Sequence, residues 1–523
     1  MEEYRLENDM FVIEDYDKKA PFCSFLPGLT GEKGIPVWSF YVNRGQGITS
    51  FGVDNKNKPI MEFYPANVAY ENTAVKGFRT FVRRDGEFFE PFFVNRQKGT
   101  VRTMYIKQNS FKIVEDNEKF ALKTEVEYFI LPSEPLGALV RKVKFTNTGK
   151  KARFELLDGM PRIIPYGVSG TDFQRMANLM RSYNTVSNLE NNIPLICNQI
   201  SGDDDAEILK TTGGYFYLTF DKNGTVCPVY DPSAIFDEQT EQITPERFID
   251  GGLSAVLGYN QHYQNKICGC FTPADVTLDS GESYEICSLC GYTHSDEFIN
   301  NMAKKITADG YIENKLREAD ALAVKFTDDV ATKSGNKTLD MYFRQCYLDN
   351  FLRGGYPFTF EGGKNKVVHL FSRKHGDPER DYNFFSIAAE FYSQGDGNFR
   401  DVLQNRRNDA LFHPEIGDFD IEMFFSYMQF DGYNPLFVKG TTFTVEPQSA
   451  DKLDEIIAEN VTSGADDLKK LMQGKFTAGS LINGIYAHKI ELKCTDDELL
   501  AKTLLFAERD FHHIATRRLV DSR

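Results

Sequence analysis

Residues 372–385 form the densest group of side chains in this sequence that could bind a ligand. They read Ser-Arg-Lys-His-Gly-Asp-Pro-Glu-Arg-Asp-Tyr-Asn-Phe-Phe and follow the apolar stretch 367–371. A predicted apolar helix over 381–392 comes next. Arginine and aspartate in such a loop can make paired hydrogen bonds to hydroxyl groups, and arginine or lysine can hold phosphate. The alternative is a solvated turn in which Asp377-Pro378 begins the helix, and the local pattern leaves both interpretations open.

A second cluster places four carboxylates within eight residues, just before and within a predicted helix over 421–429. They are Glu415, Asp418, Asp420 and Glu422. A glycosidase needs one carboxyl group as an acid and another as a base or nucleophile, at a set distance in space. The pattern favours a simpler interpretation, in which the acidic groups cap the helix and complement its dipole.

Four cysteines occur as two pairs, Cys268-x-Cys270 and Cys287-x-x-Cys290, which is a spacing that zinc ligands can show. Both pairs fall in predicted strands. Cys268 and Cys270 would then share one face, whereas Cys287 and Cys290 would face opposite ways. We therefore expect buried free thiols and no metal site.

Composition excludes several classes of function. The net charge is −16 and the pI is about 5.1, which disfavours nucleic acid and anionic membranes as partners. The sequence has no signal-peptide pattern near its start and no run of about 18 apolar residues, so we expect a cytoplasmic protein. The odd number of cysteines, nine, is typical of free thiols in a reducing compartment. No Walker loop, dinucleotide fingerprint or nucleophile elbow is present.

The elements that would position these residues begin with β-structure over 1–293. Apolar and polar residues alternate over 120–130, which predicts a half-buried strand, and a turn signal at 147–150 predicts a hairpin. Further strands are expected over 38–42, 214–220 and 284–292. Many short strands without intervening helices favour a sandwich of large antiparallel sheets.

The pattern changes to helices over 294–336, which we interpret as a helical linker. Ser295 can cap its first helix, and an apolar stripe predicts a second helix after Gly310. Helices over 339–352, 381–392 and 421–429 follow, and their apolar residues predict that they are buried in a helical barrel or bundle.

The segment 441–523 is predicted to be a mixed insertion or a truncated tail. Residues 451–470 are charged and helical in pattern, and 486–494 alternate like a strand. Thr495-x-x-Glu498 is a capping box that would open a last helix.

Three segments carry a resemblance to a known family. They are 339–357 (Leu-Asp-x-Tyr-Phe-Arg-Gln-Cys-Tyr-Leu-Asp-Asn-Phe-Leu-Arg-Gly-Gly-Tyr-Pro), 373–382 (Arg-Lys-His-Gly-Asp-x-Glu-Arg-Asp-Tyr) and 430–435 (Phe-Asp-Gly-Tyr-Asn-Pro). With the predicted order of elements, residues 1–440 resemble the N-terminal half of glycoside hydrolase family 94, the cellobiose-phosphorylase family, and within it the 1,2-β-oligoglucan phosphorylases. The resemblance implies an α+β multidomain fold. A large antiparallel sandwich (supersandwich) over 1–293 and the linker would precede the first part of an (α/α)6 catalytic barrel over 337–440.

The resemblance also implies an activity. Inorganic phosphate would attack the anomeric carbon of a β-linked gluco-oligosaccharide with inversion, giving α-glucose 1-phosphate, while one aspartic acid protonates the leaving oxygen. Phosphate would be the co-substrate, with no cofactor, and a homodimer is expected by analogy. The implied substrate-binding residues are Arg373, Lys374, His375, Asp377, Arg380, Asp381 and Tyr382.

The sequence departs from the family at the general acid. In the family this aspartate lies in an Asp-His-Trp-like stretch, whereas the only tryptophan here is Trp38, in the predicted sandwich. We therefore expect the acid beyond residue 523 and the chain to be an N-terminal fragment. Two alternatives remain: a self-contained glycosidase using Asp381, Asp418 or Asp420, and a non-catalytic carbohydrate-binding protein built on the sandwich.

Overall fold

The computed structural model describes residues 4–199, 211, 213–361, 366–374, 385–428, 430 and 432–509. Up to residue 293 most elements are strands: β1 Tyr4–Glu7, β2 Met10–Glu14, β3 Cys23–Leu26, β4 Trp38–Val42, β5 Ile48–Gly52, β6 Pro59–Met61, β7 Arg79–Arg84, β8 Glu87–Phe89, β9 Thr100–Ile106, β10 Ser110–Asn117, β11 Leu122–Ile130, β12 Ala138–Asn147, β13 Ala152–Met160, β14 Asn184–Ser187, β15 Leu195–Asn198, β16 Gly214–Asp221, β17 Gly224–Thr225, β18 Cys270–Leu278 and β19 Ser283–Thr293. Four helices lie among them: α1 Ala66–Lys76, α2 Gly170–Arg181, α3 Ser233–Phe236 and α4 Glu246–Leu257.

These strands form one large and two small antiparallel sheets. The large sheet has eleven strands in the order β1-β2-β9-β10-β11-β12-β19-β16-β15-β14, with β17 beside β16. The small sheets have four strands each, in the orders β18-β13-β7-β8 and β3-β4-β5-β6. Side chains from all three sheets, such as Phe51, Phe111 and Phe154, meet in one buried core. This part of the chain therefore has one large antiparallel sheet, where the sequence predicted several, and two small sheets share its core.

The predicted strand over 120–130 is confirmed, because β11 buries Leu122, Thr124 and Val126 and leaves the residues between them half-buried. The predicted hairpin at 147–150 is wrong. Strand β12 pairs with β11 and β19, whereas β13 pairs with β18 and β7 in another sheet. The side chain of Asn147 donates hydrogen bonds to the carbonyls of Lys150 and Leu278, each 2.9 Å long, at the point where the chain crosses between sheets. Alternation identifies the buried face of a strand but not its partner.

The predicted linker helices are confirmed as α5 Asp296–Ile306 and α6 Tyr311–Phe326. The Ser295 hydroxyl accepts a hydrogen bond of 3.2 Å from the amide of Phe298, as a cap should. Ile299, Ile312 and Ala319 pack on the face of the large sheet that points away from the core between the sheets. The linker thus adds a helical layer to the large sheet.

The remaining elements are mostly helices with short strand pairs between them. The helices are α7 Lys337–Gly354, α8 Phe399–Arg406, α9 Asp409–Phe412, α10 Phe419–Ser426, α11 Ala450–Asn460, α12 Ala465–Gln473, α13 Ala478–Ala487 and α14 Asp496–Leu504. The strands are β20 Tyr356–Thr359, β21 Val367–Leu370, β22 Gly397–Asn398, β23 Phe437–Val438, β24 Phe443–Thr444, β25 Val461–Ser463, β26 Glu491–Leu492 and β27 Glu508–Arg509. The helix predicted over 339–352 and the capping box before the last helix are both confirmed, the latter on α14.

The helix predicted over 381–392 is wrong for its described part, 385–392, which is not helical. The amide of Ile387 donates to the carbonyl of Asp54 at 2.7 Å, and the amide of Ala389 donates to the Asp54 carboxylate at 2.8 Å. Phe385 packs edge-on against Trp38, with 5.3 Å between ring centroids. The residues of this segment therefore contact the sandwich as a non-helical segment instead of forming a buried helix.

The other helical predictions are partly confirmed. Helix α10 ends at Ser426, and it is buried on one side only, since Ile421 and Phe425 are 62% and 68% exposed. The charged helix predicted over 451–470 is two helices, α11 and α12, separated by β25. The strand predicted over 486–494 is wrong apart from Glu491–Leu492, because α13 continues to Ala487. No described helix is long and apolar enough to cross a membrane.

Candidate functional site

Arg373 begins the predicted binding block and is buried, with 8% of its surface exposed. Its amide donates to the carbonyl of Leu352 at 2.9 Å. Its guanidinium donates to the carbonyl of Phe371 at 3.3 Å and to the carbonyl of Pro27 in the sandwich region. Burial lowers the pKa of Arg373 to about 10. The side chain thus fixes the start of the block at the junction between the sandwich and the helical part.

The surroundings of Arg373 are aromatic and tightly packed. The guanidinium lies 5.6 Å from the ring centroid of Phe25, and with Trp38 and Phe385 it lines a cavity of about 10 Å³. Such a cavity has room for about one water molecule, so a sugar ring does not fit there. Lys374, the next residue, is half-buried and lies 5.1 Å from the ring centroid of Phe437.

The other predicted contact residues lie outside the described residues. They are His375, Asp377, Arg380, Asp381 and Tyr382. The structure therefore describes two of the seven predicted binding residues, Arg373 and Lys374, which are the first two residues of the block.

A buried pair of a histidine and an aspartate lies close to this junction. His369 is in the middle of β21 and is 1% exposed, and Asp409, at the first position of α9, is 7% exposed. The Nε2 atom of His369 lies 3.0 Å from the Asp409 carboxylate. Burial and the nearby arginines lower the pKa of His369 well below its ordinary value, so its ring is neutral. A neutral imidazole has one donor and one acceptor nitrogen, and Nε2 shares a hydrogen bond with Asp409.

Asp420 brings a second carboxylate to the same place. One of its oxygens lies 3.8 Å from His369 Nε2, and one potential ligand atom from each of the three residues lies within 4.8 Å of the other two. Burial, followed by the charge of Asp420, raises the pKa of Asp409 to about 9. Two carboxylates this close cannot both ionise easily, so Asp409 keeps its proton at neutral pH. Burial raises the pKa of Asp420 as well, while the charges of Arg406 and Arg509 lower it.

Two buried arginines supply positive charge beside this cluster. Arg406 is anchored by a 2.7 Å hydrogen bond to the carbonyl of Gly354, and its charge stabilises both carboxylates. Arg509 stacks on Phe419 at 4.1 Å, and burial lowers its pKa to about 10.

A histidine and two carboxylates could hold a divalent cation. The two neighbouring arginines work against this, because they repel a cation and already offset the negative charge. The arrangement therefore fits a shared proton better than a metal ion.

The sequence analysis singled out Asp418 and Asp420 but missed the partners of Asp420. Asp418 is exposed and Asp420 points inward, and residues two apart on a helix do not face each other. The first-turn positions of Asp420 and Glu422 agree with the dipole interpretation, but the side chain of Asp418 makes no cap bond. One signal for His369 was available, because a histidine inside an apolar strand must find a hydrogen-bond partner.

The cysteines do not converge on one point. Cys268, Cys270 and Cys290 lie in the core between the sheets, whereas Cys287 faces the linker helices. Burial raises the pKa of the Cys268 and Cys287 thiols to about 12, which disfavours the thiolate that zinc requires.

Comparisons with known proteins give only remote structural likeness. No family model matches the chain, and no curated protein sequence matches it. A bacterial glucoamylase complexed with acarbose has a TM-score of 0.40 and 12% identity, covering 92% of this chain and 64% of that chain. A polysaccharide lyase has a TM-score of 0.29 and 13% identity, covering 50% of this chain and 33% of that chain.

A third solved structure is described as a kojibiose phosphorylase from the human microbiome. It has a TM-score of 0.26 and 9% identity, and the match covers 68% of this chain and 40% of that chain. This chain thus spans less than two thirds of the length of each of these proteins. These scores are too low to carry an argument about function.

Proposed function

We propose that this chain acts on carbohydrate, as the sandwich-bearing part of an inverting β-glucoside phosphorylase of the cellobiose-phosphorylase family. One observation carries the proposal beyond the resemblance of the three sequence segments. The block 373–382, the most specific of them, begins at Arg373, whose guanidinium donates to Pro27 in the sandwich region and whose amide donates to Leu352 of α7. The contacts of Arg373 hold the start of the block at the junction between the two parts, and holding groups in place is what substrate binding needs.

The proposed reaction is reversible phosphorolysis of β-linked gluco-oligosaccharides, with β-1,2-linked chains as the preferred substrate. Phosphate attacks the anomeric carbon, the glycosidic oxygen takes a proton and leaves, and α-glucose 1-phosphate forms. No carboxylate base is needed, because phosphate itself is the nucleophile. In this proposal Arg380 and Lys374 supply positive charge for phosphate, and Asp377 and Asp381 bind sugar hydroxyls. The chain has no match to the family's Asp-His-Trp-like stretch, so we assign the proton donor to no residue here.

The experiment is an assay of sugar release with and without phosphate. The chain is incubated with β-1,2-gluco-oligosaccharides, and both glucose 1-phosphate and free glucose are measured. Release of glucose 1-phosphate only when phosphate is present supports the proposal. Phosphate-independent release of glucose contradicts it and favours a hydrolase. Saturable binding of the glucan without any turnover fits both a part of the enzyme that lacks the proton donor and a carbohydrate-binding protein.

One observation favours glycoside hydrolysis as a second candidate function. Asp409 holds a proton at neutral pH and lies beside a second carboxyl group, Asp420, and a glycosidase uses a protonated carboxyl group with a second carboxyl group near it. Both groups are mostly buried, so a sugar could reach them only if covering residues moved. In this case Asp409→Asn and Asp420→Asn would each abolish phosphate-independent hydrolysis, while Asp418→Asn would leave it unchanged.

A further inference from the structure

A cavity of about 260 Å³ lies at one end of the sandwich, far along the chain from the Arg373 block. Residues of β8 in a small sheet and of β9 and β10 in the large sheet form its walls, together with the loop between β8 and β9. The segment 243–245 before α4 completes it, and Ile243 is 46% exposed. Ligand pockets of about 300–1,000 Å³ hold drug-sized molecules, so this one suits a single ring.

Glu90 lines this cavity and is already paired with Arg79, which is not one of the lining residues. Arg79 makes two hydrogen bonds of 2.7 Å to Glu90 and donates to the carbonyls of Gln242 and Ile243 at 2.5 and 2.7 Å. All three guanidinium nitrogens of Arg79 are therefore engaged. An anionic ligand would have to break these bonds to reach the positive charge.

Arg102, which lines the cavity, is engaged in the same way. Arg102 donates to Glu115, Asp17 and the carbonyl of Phe93, each at 2.8 Å. With both arginines consumed by carboxylates, the cavity offers no charge for an ion to neutralise. Its chemistry suits a neutral ligand.

Two polar atoms in the cavity wall still need hydrogen bonds. Among the described residues, Gln97 Oε1 and Thr100 Oγ1 are buried and have no hydrogen-bond partner. Thr100 is 7% exposed, and both side chains line the cavity. Buried polar atoms without partners are rare and cost free energy, so this pair, on two residues that line the cavity, points to a ligand that donates to it.

Aromatic rings supply the rest of the lining. Phe88, Phe89 and Phe93 all contribute, and Phe89 is held by stacking on Phe120 with 3.9 Å between ring centroids. Aromatic faces bury the apolar C–H faces of a sugar ring, while amides and hydroxyls pair with its hydroxyl groups. We propose that this cavity is a binding site for a neutral hexose ring, such as a glucosyl unit. The inference depends on the cavity alone and does not rest on the proposed phosphorylase activity.

The test uses methyl β-D-glucopyranoside as the probe and calorimetry as the measurement. Thr100→Val removes the hydroxyl and keeps the β-branched shape, and Gln97→Leu removes the amide oxygen. Each loses a neutral hydrogen bond, so each should weaken binding about three- to tenfold. The matched control is Val101→Thr, the reverse exchange at the next position of β9, which is 56% exposed and points to the other face. It should bind like the unmodified chain.

Three outcomes would overturn the inference. One is the absence of saturable binding to the unmodified chain. Another is that Thr100→Val and Gln97→Leu both bind the glucoside as tightly as the unmodified chain, which would place the glucoside elsewhere, for example at the Arg373 block. The third is competition by inorganic phosphate that Thr100→Val abolishes, which would show an anion site. Circular dichroism and thermal unfolding show whether each variant is folded. If one variant does not fold, the affinity of the other variant is enough to test the inference.

Discussion

At the residue scale, His369, Asp409 and Asp420 form a buried cluster in the helical part, and all three have pKa values shifted from their ordinary ones. Asp409 has a pKa near 9 in the folded chain, against an ordinary value of 3.8. The folded chain therefore holds a proton between these pH values that the unfolded chain has lost. Because the folded state binds more protons, the free energy of unfolding falls as pH rises through this window.

This linkage makes Asp409→Asn a direct test. Asparagine resembles the protonated carboxyl but does not titrate, so the variant should keep its stability where the unmodified chain loses it. We expect an advantage of about 1–3 kcal/mol at pH 8–9 over the unmodified chain, which should shrink towards pH 5. Urea unfolding at several pH values measures it. Asp418→Asn, an exposed aspartate nine positions along, should unfold like the unmodified chain at every pH, and a variant Asp409→Asn that did the same would contradict the assignment.

At the element scale, the extended segment 385–392 joins the helical part to the sandwich. Phe385 is 6% exposed and packs within 6 Å of Trp38, Phe40 and Phe63. We expect Phe385→Ala to lower the free energy of unfolding by about 3–5 kcal/mol, because it leaves a cavity in this cluster. Trp38 is the only tryptophan, so its fluorescence reports the change at the junction itself.

A phenylalanine elsewhere gives the matched control. Phe425 on α10 is 68% exposed, and Phe425→Ala should change stability by less than about 0.5 kcal/mol and leave the tryptophan emission unchanged. If both variants lost the same stability, or if Phe385→Ala left the emission as it was, the segment would not pack as described.

Elements were predictable from sequence where their signal is local. Ser295 caps α5 and Thr495 opens α14 because each bonds an amide three residues away, and such spacing is visible in the sequence. The hairpin at 147–150 and the helix over 381–392 failed because their outcome depends on partners far along the chain. In 385–392 a backbone amide donates to Asp54 and the ring of Phe385 packs against Trp38. No local pattern could show these contacts.

The candidate site was harder to predict for the same reason. Asp420 was singled out from its neighbours in sequence, but its actual neighbours, His369 and Asp409, are separated from each other by 40 positions. The cavity at the end of the sandwich combines residues near 97 with residues near 243, and only the fold brings them together.

At the scale of the whole molecule, a buried ion pair ties the large sheet to a small one. Arg141 on β12 makes hydrogen bonds of 2.6 and 3.0 Å to Asp158 on β13, and both side chains are essentially unexposed. Removing one partner leaves an uncompensated buried charge. We therefore expect Asp158→Asn to lower the free energy of unfolding by about 3–5 kcal/mol in chemical denaturation.

Asp116→Asn is the control for this pair, because Asp116 lies on β10 of the large sheet and is exposed. It should change stability by less than about 0.5 kcal/mol. An equally small effect of Asp158→Asn would mean that the contact between the sheets does not depend on the pair.

The central claim is that phosphate, and not water, takes the glucosyl unit from a β-glucan. Phosphorus-31 NMR of the chain with a β-1,2-gluco-oligosaccharide and inorganic phosphate tests it most directly, since it detects the product ester and its anomeric form. With the segment that carries the proton donor present, our account predicts a growing signal of α-glucose 1-phosphate as the oligosaccharide shortens. Free glucose with an unchanged phosphate signal, or a β-anomeric ester, would contradict it.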